Sequence, residues 1–311
     1  MRRKITLLAS AAFGSLLLVS CGGDDDSTPT PTPTPTSTAT PTPTPTPTAV
    51  DFDFAEDFTA IVANASYVFA YFEPTGDDEV WSAGSRRDGT SEITYEVAPE
   101  GVTFEWPDTT EIPAFVAADL TNSSATLRTY RKGNDALRME LPFGQVMRVS
   151  FERSQAYTLE TVPGTLRSFR YSIFFNPVTT EDDITADLTY TGTAQVTGGE
   201  PGSTLAEVFT AAATNLVVDA SDGTITGTLR IFETVNGAQV LRAALPISAE
   251  IGDSGFFSAE IEDETNGLVG RFVGALAGAD REEVFLIFNV ADDDEDDDVE
   301  FELLGSLIAA R

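Results

Sequence analysis

The side chains of this sequence that could do chemistry are almost all carboxylates. The 311 residues include 50 Asp and Glu against 18 Lys and Arg, with one Cys and no His, and the net charge is −32. Without His, the chain lacks the commonest general base and the commonest transition-metal ligand. One Cys leaves no intrachain disulfide and no Cys-rich zinc site. A nucleic-acid partner is excluded as well, since phosphate binding needs a basic face.

Two catalytic arrangements could still be built from these residue types, a carboxylate pair and a Ser–Lys pair. A carboxylate pair hydrolyses glycosides only when both acids share one cleft, and no spacing in the sequence forces that. The nucleophile elbow Gly-x-Ser-x-Gly is absent. Lys132 is the only Lys beyond the first four residues, and its polar segment, 128–135, is typical of a solvated hairpin tip. We therefore predict a non-enzymatic protein with no catalytic residue and no cofactor.

Seven consecutive acids form the run 292–298. Carboxylate oxygens are the ligands that Ca²⁺ prefers, although Asp297 stands where an EF-hand loop has its Gly. Runs of like charge are more often solvated and self-repelling. We predict a hairpin tip between the last two strands and no metal site, and the sequence leaves Ca²⁺ binding by this loop open.

The first 20 residues are typical of a signal peptide. A basic start, Arg2-Arg3-Lys4, precedes an apolar stretch at 5–19 that is too short to span a bilayer. Leu18-Val19-Ser20-Cys21 resembles the bacterial lipobox, in which the Cys is diacylated, and Gly22 after it resembles lipoproteins sent to the outer membrane. We predict lipidation of Cys21 and attachment to the membrane through that lipid. The alternative is an ordinary signal peptide that contains a Cys.

Residues 21–49 form a predicted stalk behind the lipidated Cys. Eight of the 17 prolines lie in the Thr-Pro repeat at 27–48. Proline removes every second backbone N–H, so the repeat cannot form a helix or a sheet. It favours an extended polyproline II conformation at about 3.1 Å per residue. We expect a disordered spacer without a binding site.

From residue 50 onward, the sequence alternates apolar and polar residues as β-strands do. The segment 185–197 is the clearest case, and pairs such as Asn236-Gly237 mark hairpin turns. We predict an all-β fold with a strand-rich domain at 50–182 and a second domain at 183–311. Two short segments also allow a helix: 53–66, and 204–213, which we interpret as strand.

The second domain is predicted to be a soluble eight-stranded antiparallel up-and-down β-barrel. Eight strands are expected near 186–197, 205–219, 223–233, 238–248, 256–262, 268–276, 282–290 and 299–309. Short connections make chain neighbours antiparallel, and closure removes exposed strand edges. Polar outer faces argue against a transmembrane barrel.

Several motifs in this domain resemble the β-barrel of transferrin-binding-protein-B-like surface lipoproteins. They are YTGTA at 190–194, DASDGTITGTL at 219–229, LVGRFVGALAGADREEVFLIF at 268–288 and the ending GSLIAAR at 305–311. The chain departs from the family pattern at Gly274-Ala275, where a Gly-Pro pair is expected, and at Leu286-Ile287, where Gly-Gly is expected. The match covers about the last 125 residues.

The resemblance implies a strand-rich handle-like domain at 50–182 and capture of host iron proteins, haem or other solutes at the cell surface. Family members pass cargo to an outer-membrane transporter, and no ligand-binding motif of theirs carries over to this chain. We therefore predict a non-catalytic, lipid-anchored outer-membrane protein, exposed at the cell surface, that binds a solute or a partner protein. The alternatives are a structural or adhesive envelope protein without a small-molecule site, and a carboxylate hydrolase.

Overall fold

The computed structural model describes residues 49–107, 109, 111–204, 209–292 and 301–311. Regular structure in these residues is β-strand, apart from one 3-10 turn at Ala117–Asp119, and all strand pairs are antiparallel. The predicted all-β class is confirmed. Within the same residues, no helix is long and apolar enough to cross a bilayer. The signal peptide, Cys21 and the Thr-Pro repeat lie outside the described residues.

The N-terminal half, residues 50–182, contains two sheets that pack face to face around a shared core. The four-stranded sheet has the order β1-β4-β5-β6 and the seven-stranded sheet has the order β3-β2-β11-β10-β9-β8-β7. Their strands are β1 (Phe58–Ala63), β2 (Ser66–Pro74), β3 (Val80–Arg87), β4 (Thr90–Val97), β5 (Glu100–Glu105), β6 (Ala114–Val116), β7 (Leu120–Ser124), β8 (Leu127–Lys132), β9 (Asp135–Glu140), β10 (Val146–Leu159) and β11 (Val162–Phe175).

The first strand decides between the two structures that the sequence allowed at 53–66. Phe58, Ala60 and Val62 are buried, whereas Thr59 and Ile61 are exposed. This period of two places one face of β1 in the core, and a helix would scatter the same side chains around its axis. The helical alternative is wrong here.

The C-terminal half, residues 183–311, forms one nine-stranded antiparallel sheet. Its strands are β12 (Leu188–Gly199), β13 (Phe209–Ala211), β14 (Ala213–Asp219), β15 (Thr224–Val235), β16 (Ala238–Glu250), β17 (Phe256–Asp263), β18 (Leu268–Ala277), β19 (Glu283–Asp292) and β20 (Glu302–Ala310). The predicted strand near 205–219 is represented by two strands, β13 and β14, and residues 205–208 lie outside the described part. The other seven predicted strands are present within a few residues of their expected bounds.

The order of the eight long strands is that of an up-and-down barrel opened at one seam. β12 pairs with β20, and the other strands follow on either side in chain order until β16 and β17. No ladder between β16 and β17 is present in the described residues. Instead, the Asp263 carboxylate on β17 accepts the backbone N–H of Ala244 on β16 at 2.7 Å. This N–H would donate to a backbone carbonyl of β17 if the two strands formed a ladder. The predicted antiparallel order is confirmed, but the sheet is not a closed barrel.

The hairpin between β15 and β16 shows how the sequence sets this order. Asn236 and Gly237 are its two turn residues, with φ of 51° and 79°. Two consecutive positive φ values define the type I′ turn, whose twist matches that of the paired strands and which Asn-Gly favours. The predicted turn is confirmed.

One continuous core joins the two halves. The apolar cluster of the N-terminal half extends to side chains of β18, β19 and β20, among them Phe285, Ile287, Leu304 and Ile308. A second cluster fills the inside of the C-terminal sheet. Both faces of β19 and β20 are therefore buried, and their sequences are accordingly nearly continuous apolar runs. A domain boundary between residues 182 and 183 stays a prediction.

Candidate functional site

Two neighbouring strands of the N-terminal half, β2 and β11, carry an aromatic ladder. Tyr67 faces Tyr171 and Phe69 faces Phe169 across the strand pair, with ring centroids 4.7 and 4.8 Å apart and nearly parallel rings. Alternation places these side chains on one face of the sheet. The result is a row of flat apolar surfaces, of which Phe169 and Tyr171 stay partly exposed.

The ladder forms one wall of a groove between the two halves. The groove has a volume of about 350 Å³, and its opposite wall is built from 195–198 on β12, Leu304 and Gly305 on β20, and Phe209 on β13. Ligand pockets of proteins have volumes of about 300–1,000 Å³ and are mainly apolar with a few placed polar groups. The volume of the groove lies at the lower end of this range, and its lining combines aromatic side chains with polar groups such as Gln195 and Thr197.

Arg167 supplies the charge at the rim of this groove. It lies directly across from Tyr71, with Cζ 5.0 Å from the Tyr71 ring and 5.1 Å from the Phe169 ring. Its Nε and Nη2 donate to the two oxygens of Glu79 at 2.8 and 2.6 Å. These hydrogen bonds raise the pKa of Arg167, so the guanidinium stays charged and is held over the aromatic rings.

Tyrosine hydroxyls give the groove its neutral polar groups. The Tyr71 hydroxyl hydrogen-bonds to Thr197 Oγ1 at 2.7 Å, which joins the two walls. The Tyr67 hydroxyl is 3.2 Å from Ser306 Oγ. Burial raises the pKa of Tyr67 and of Tyr171, so both phenols are neutral at physiological pH. The groove therefore presents tyrosine hydroxyls beside Arg167, which is paired with Glu79 at the rim.

Beneath the aromatic ladder, β3 of the N-terminal half is hydrogen-bonded to β20 of the C-terminal half. Trp81 is fully buried behind Phe69, and its Nε1 donates to Glu302 Oε1 at 2.9 Å. The same oxygen accepts the Gly84 backbone N–H at 2.7 Å. A Cβ at Gly84 would lie 2.7 Å from Leu304 Cδ2, so a larger residue on β3 would require the Leu304 side chain of β20 to shift.

A second buried carboxylate, Glu283, joins the halves at the other end of their contact. Its Oε1 accepts the backbone N–H of Gln145 at 2.7 Å and its Oε2 accepts that of Val146 at 3.0 Å. Burial raises the pKa of Glu283 to about 7, although both hydrogen bonds act in the opposite direction. Burial also raises the pKa of Glu302. Both carboxylates thus bind donors from the other half and do not share a cleft.

The structure describes only some of the residues that the sequence analysis singled out. Cys21 and the acids at 293–298 lie outside the described residues, so lipidation and Ca²⁺ binding stay predictions. Lys132 ends β8 at a hairpin and donates to the Ala114 carbonyl at 3.2 Å, as expected of a solvated tip. Among the residues that the structure describes, no three His, Cys, Asp or Glu lie close enough together to hold a metal ion.

The aromatic residues at the start of the N-terminal half belong to the core, and the groove was not anticipated from the sequence. Phe52, Phe54 and Phe58 pack with Tyr95 in the N-terminal core. The groove could have been sought in two repeats, Tyr-x-Phe-x-Tyr at 67–71 and Arg-x-Phe-x-Tyr at 167–171, because each repeat places its three side chains on one face of a strand.

Fold and groove together define a class, an all-β protein whose two halves share a core and enclose an aromatic groove where they meet. No protein-family model and no curated protein matches the sequence. Among solved structures, the chain is similar to a double mutant of transferrin-binding protein B from Haemophilus parasuis Hp5, at 10% identity and a TM-score of 0.39, with 82% of this chain and 60% of that chain covered.

A second similar structure is isotype 1 transferrin-binding protein B from serogroup B Neisseria meningitidis. Its identity is 12% and its TM-score 0.41, with 78% of this chain and 43% of that chain covered. The chain thus spans well under two thirds of the length of these two proteins. They belong to the family that the sequence motifs resemble, and at such TM-scores we transfer from them neither a residue role nor a ligand.

Proposed function

We propose that this protein is a non-catalytic binding protein of the cell surface, held at the outer membrane by a lipid on Cys21 and raised from it by the Thr-Pro stalk. The groove between the halves receives a flat apolar group of a solute or of a partner protein. The observation that carries this proposal is the aromatic ladder, which stays partly exposed in a groove large enough for a ligand.

The chemistry of the groove favours stacking over catalysis. Parallel rings present their faces to a flat ligand, and such contacts contribute about 0.5–1.5 kcal/mol beyond the burial of apolar area. Arg167, already paired with Glu79, lies over the rings of Tyr71 and Phe169 and closes the rim of the groove. The two carboxylates with raised pKa values, Glu283 and Glu302, are occupied by donors from the N-terminal half, which argues against the hydrolase alternative. A flat, fully packed surface would have favoured the adhesive alternative.

Binding is tested with the neutral flat dye Nile red and the Cys21→Ala chain, which cannot carry a lipid at position 21. We expect saturable fluorescence enhancement that Phe169→Ala weakens roughly three- to tenfold, because one stacking contact is lost. Tyr157→Ala is the matched control, since Tyr157 is an exposed aromatic on the neighbouring strand β10 and does not line the groove. Equal affinities of Phe169→Ala and the parent chain would reject the groove as the binding site.

Location is tested separately, by protease treatment of intact cells. We expect the folded part of the wild type to be cleaved from outside, and the Cys21→Ala protein to be released from the membrane fraction. A wild-type protein that resists protease until the envelope is opened would contradict surface exposure and move a structural role inside the envelope to first place.

A further inference from the structure

A second cleft lies in the N-terminal half, on the opposite face of β11 from the groove. Arg167 and Phe169 point to the groove, whereas Arg170 alternates to the other face and lines a cavity of about 240 Å³. The remaining walls include Trp106, Pro113 and Phe151. The volume is below the usual range for drug-sized ligands, so this cleft suits a smaller molecule.

Arg170 is a half-buried cation that the described residues leave without a partner. Its Cζ lies 5.8 Å from the ring centroids of both Trp106 and Phe151, and no described residue forms an ion pair or a side-chain hydrogen bond with it. Burial, together with the like charge of Arg153, lowers the pKa of Arg170, although the charges of Glu111 and Asp135 act in the opposite direction. Removing a charge from water without pairing it is unfavourable. The chain has 50 Asp and Glu residues, and none of the described ones forms an ion pair with Arg170.

The neighbouring arginine shows what a paired cation looks like in the same cleft. Arg153 donates to both oxygens of Asp135 at 2.9 and 2.8 Å, and to both oxygens of Glu111 at 2.5 and 3.3 Å. These two acids are hydrogen-bonded to Arg153 and act on Arg170 only through their charge, and Glu111 lines the cavity together with Arg153. The positive charge of Arg170 is left facing the cavity, beside an indole whose Nε1 is already bound to the Tyr171 carbonyl at 3.2 Å.

We propose that this cleft binds a small monocarboxylate with a flat apolar body. The carboxylate pairs with the guanidinium of Arg170, which offers a planar set of donors that matches it. The flat body packs against Trp106 and Pro113. This site is separate from the groove and does not depend on the function proposed for it.

The test uses benzoate as the probe, titrated into the Cys21→Ala chain by calorimetry, with benzamide as the uncharged analogue. We expect saturable benzoate binding, no measurable benzamide binding, and a loss of affinity of roughly tenfold or more in Arg170→Gln, because hydrogen bonds to charged groups are among the strongest. Arg138→Gln is the matched control, an exposed arginine on the same sheet. It should bind benzoate as the parent does.

Two further measurements separate ligand binding from other roles of Arg170. Arg170→Gln should melt at the same or a higher temperature than the parent, since it removes an unpaired half-buried charge; a clearly lower melting temperature would assign Arg170 a structural role and overturn the proposal. Asp108→Asn changes the acid two residues after Trp106, outside the described residues. Binding of benzoate only to Asp108→Asn would identify an internal carboxylate as the partner, and would overturn the proposal too. No binding to either chain would do the same.

Discussion

At the scale of single residues, the two buried glutamates are the most informative. Glu283 and Glu302 lie on strands of the C-terminal half, and both accept backbone or indole N–H groups of the N-terminal half. Such a carboxylate satisfies donors that would otherwise be buried without partners, but its own charge is desolvated. Desolvation prevails at both positions, since both pKa values are raised.

The raised pKa of Glu283 predicts a stability that depends on pH. The folded state holds the proton up to about pH 7, whereas the unfolded chain releases it near 4.5. The contribution of Glu283 is therefore fully present below pH 4.5 and is lost as pH rises to about 7. We expect the free energy of unfolding of the parent, relative to Glu283→Gln, to fall over this window by an amount on the order of 2 kcal/mol after solvent screening.

The measurement is urea unfolding of both chains at several pH values from 4 to 8. Glu260→Gln is the control, because Glu260 is exposed on β17 and its substitution should leave the pH profile of the parent unchanged. A constant difference between the parent and Glu283→Gln at all pH values would show that Glu283 titrates alike in the folded and unfolded chains.

At the scale of strands, β3 is held against β20 by a glycine. Gly84→Val should lower the free energy of unfolding by about 1–3 kcal/mol, because its Cβ would lie 2.7 Å from Leu304 Cδ2 and would force this fully buried side chain to shift. Ala83→Val on the same strand is the control, since Ala83 points to solvent and should change stability little. Thermal or urea unfolding measures both. If both variants lost the same stability, the close approach of β3 to β20 would not be the cause.

Most strands of the C-terminal half could be predicted from the sequence, because turn residues such as Asn236-Gly237 punctuate a period of two. The same pattern tells which side chains share a face, but not which faces meet. This is why polar outer faces were expected for the barrel in general, whereas β19 and β20 are covered on both sides. The groove was missed for the same reason: Tyr71 and Thr197 are 126 residues apart and meet only through the contact between the halves.

At the scale of the whole molecule, the shared core makes the two halves depend on each other. The isolated segment 183–311 would expose the apolar outer face of β19 and β20, including Phe285, Ile287 and Leu304. We expect this segment to bind the dye anilinonaphthalenesulfonate strongly and to self-associate in size-exclusion chromatography. The full chain should do neither and should unfold in one calorimetric transition. A monomeric segment with low dye binding would support a domain boundary at 182/183 instead.

The pairing of β12 with β20 also has a consequence for the order in which the molecule can be built. β20 follows all the other strands along the chain, yet it completes the sheet beside β12 and carries Glu302 and Leu304 to the N-terminal half. Contacts between segments so far apart in sequence form late and slowly. As the chain emerges residue by residue from the ribosome, neither half can reach its final packing before β20 arrives. Export of the kind proposed for this protein would therefore begin before the shared core of the two halves is complete.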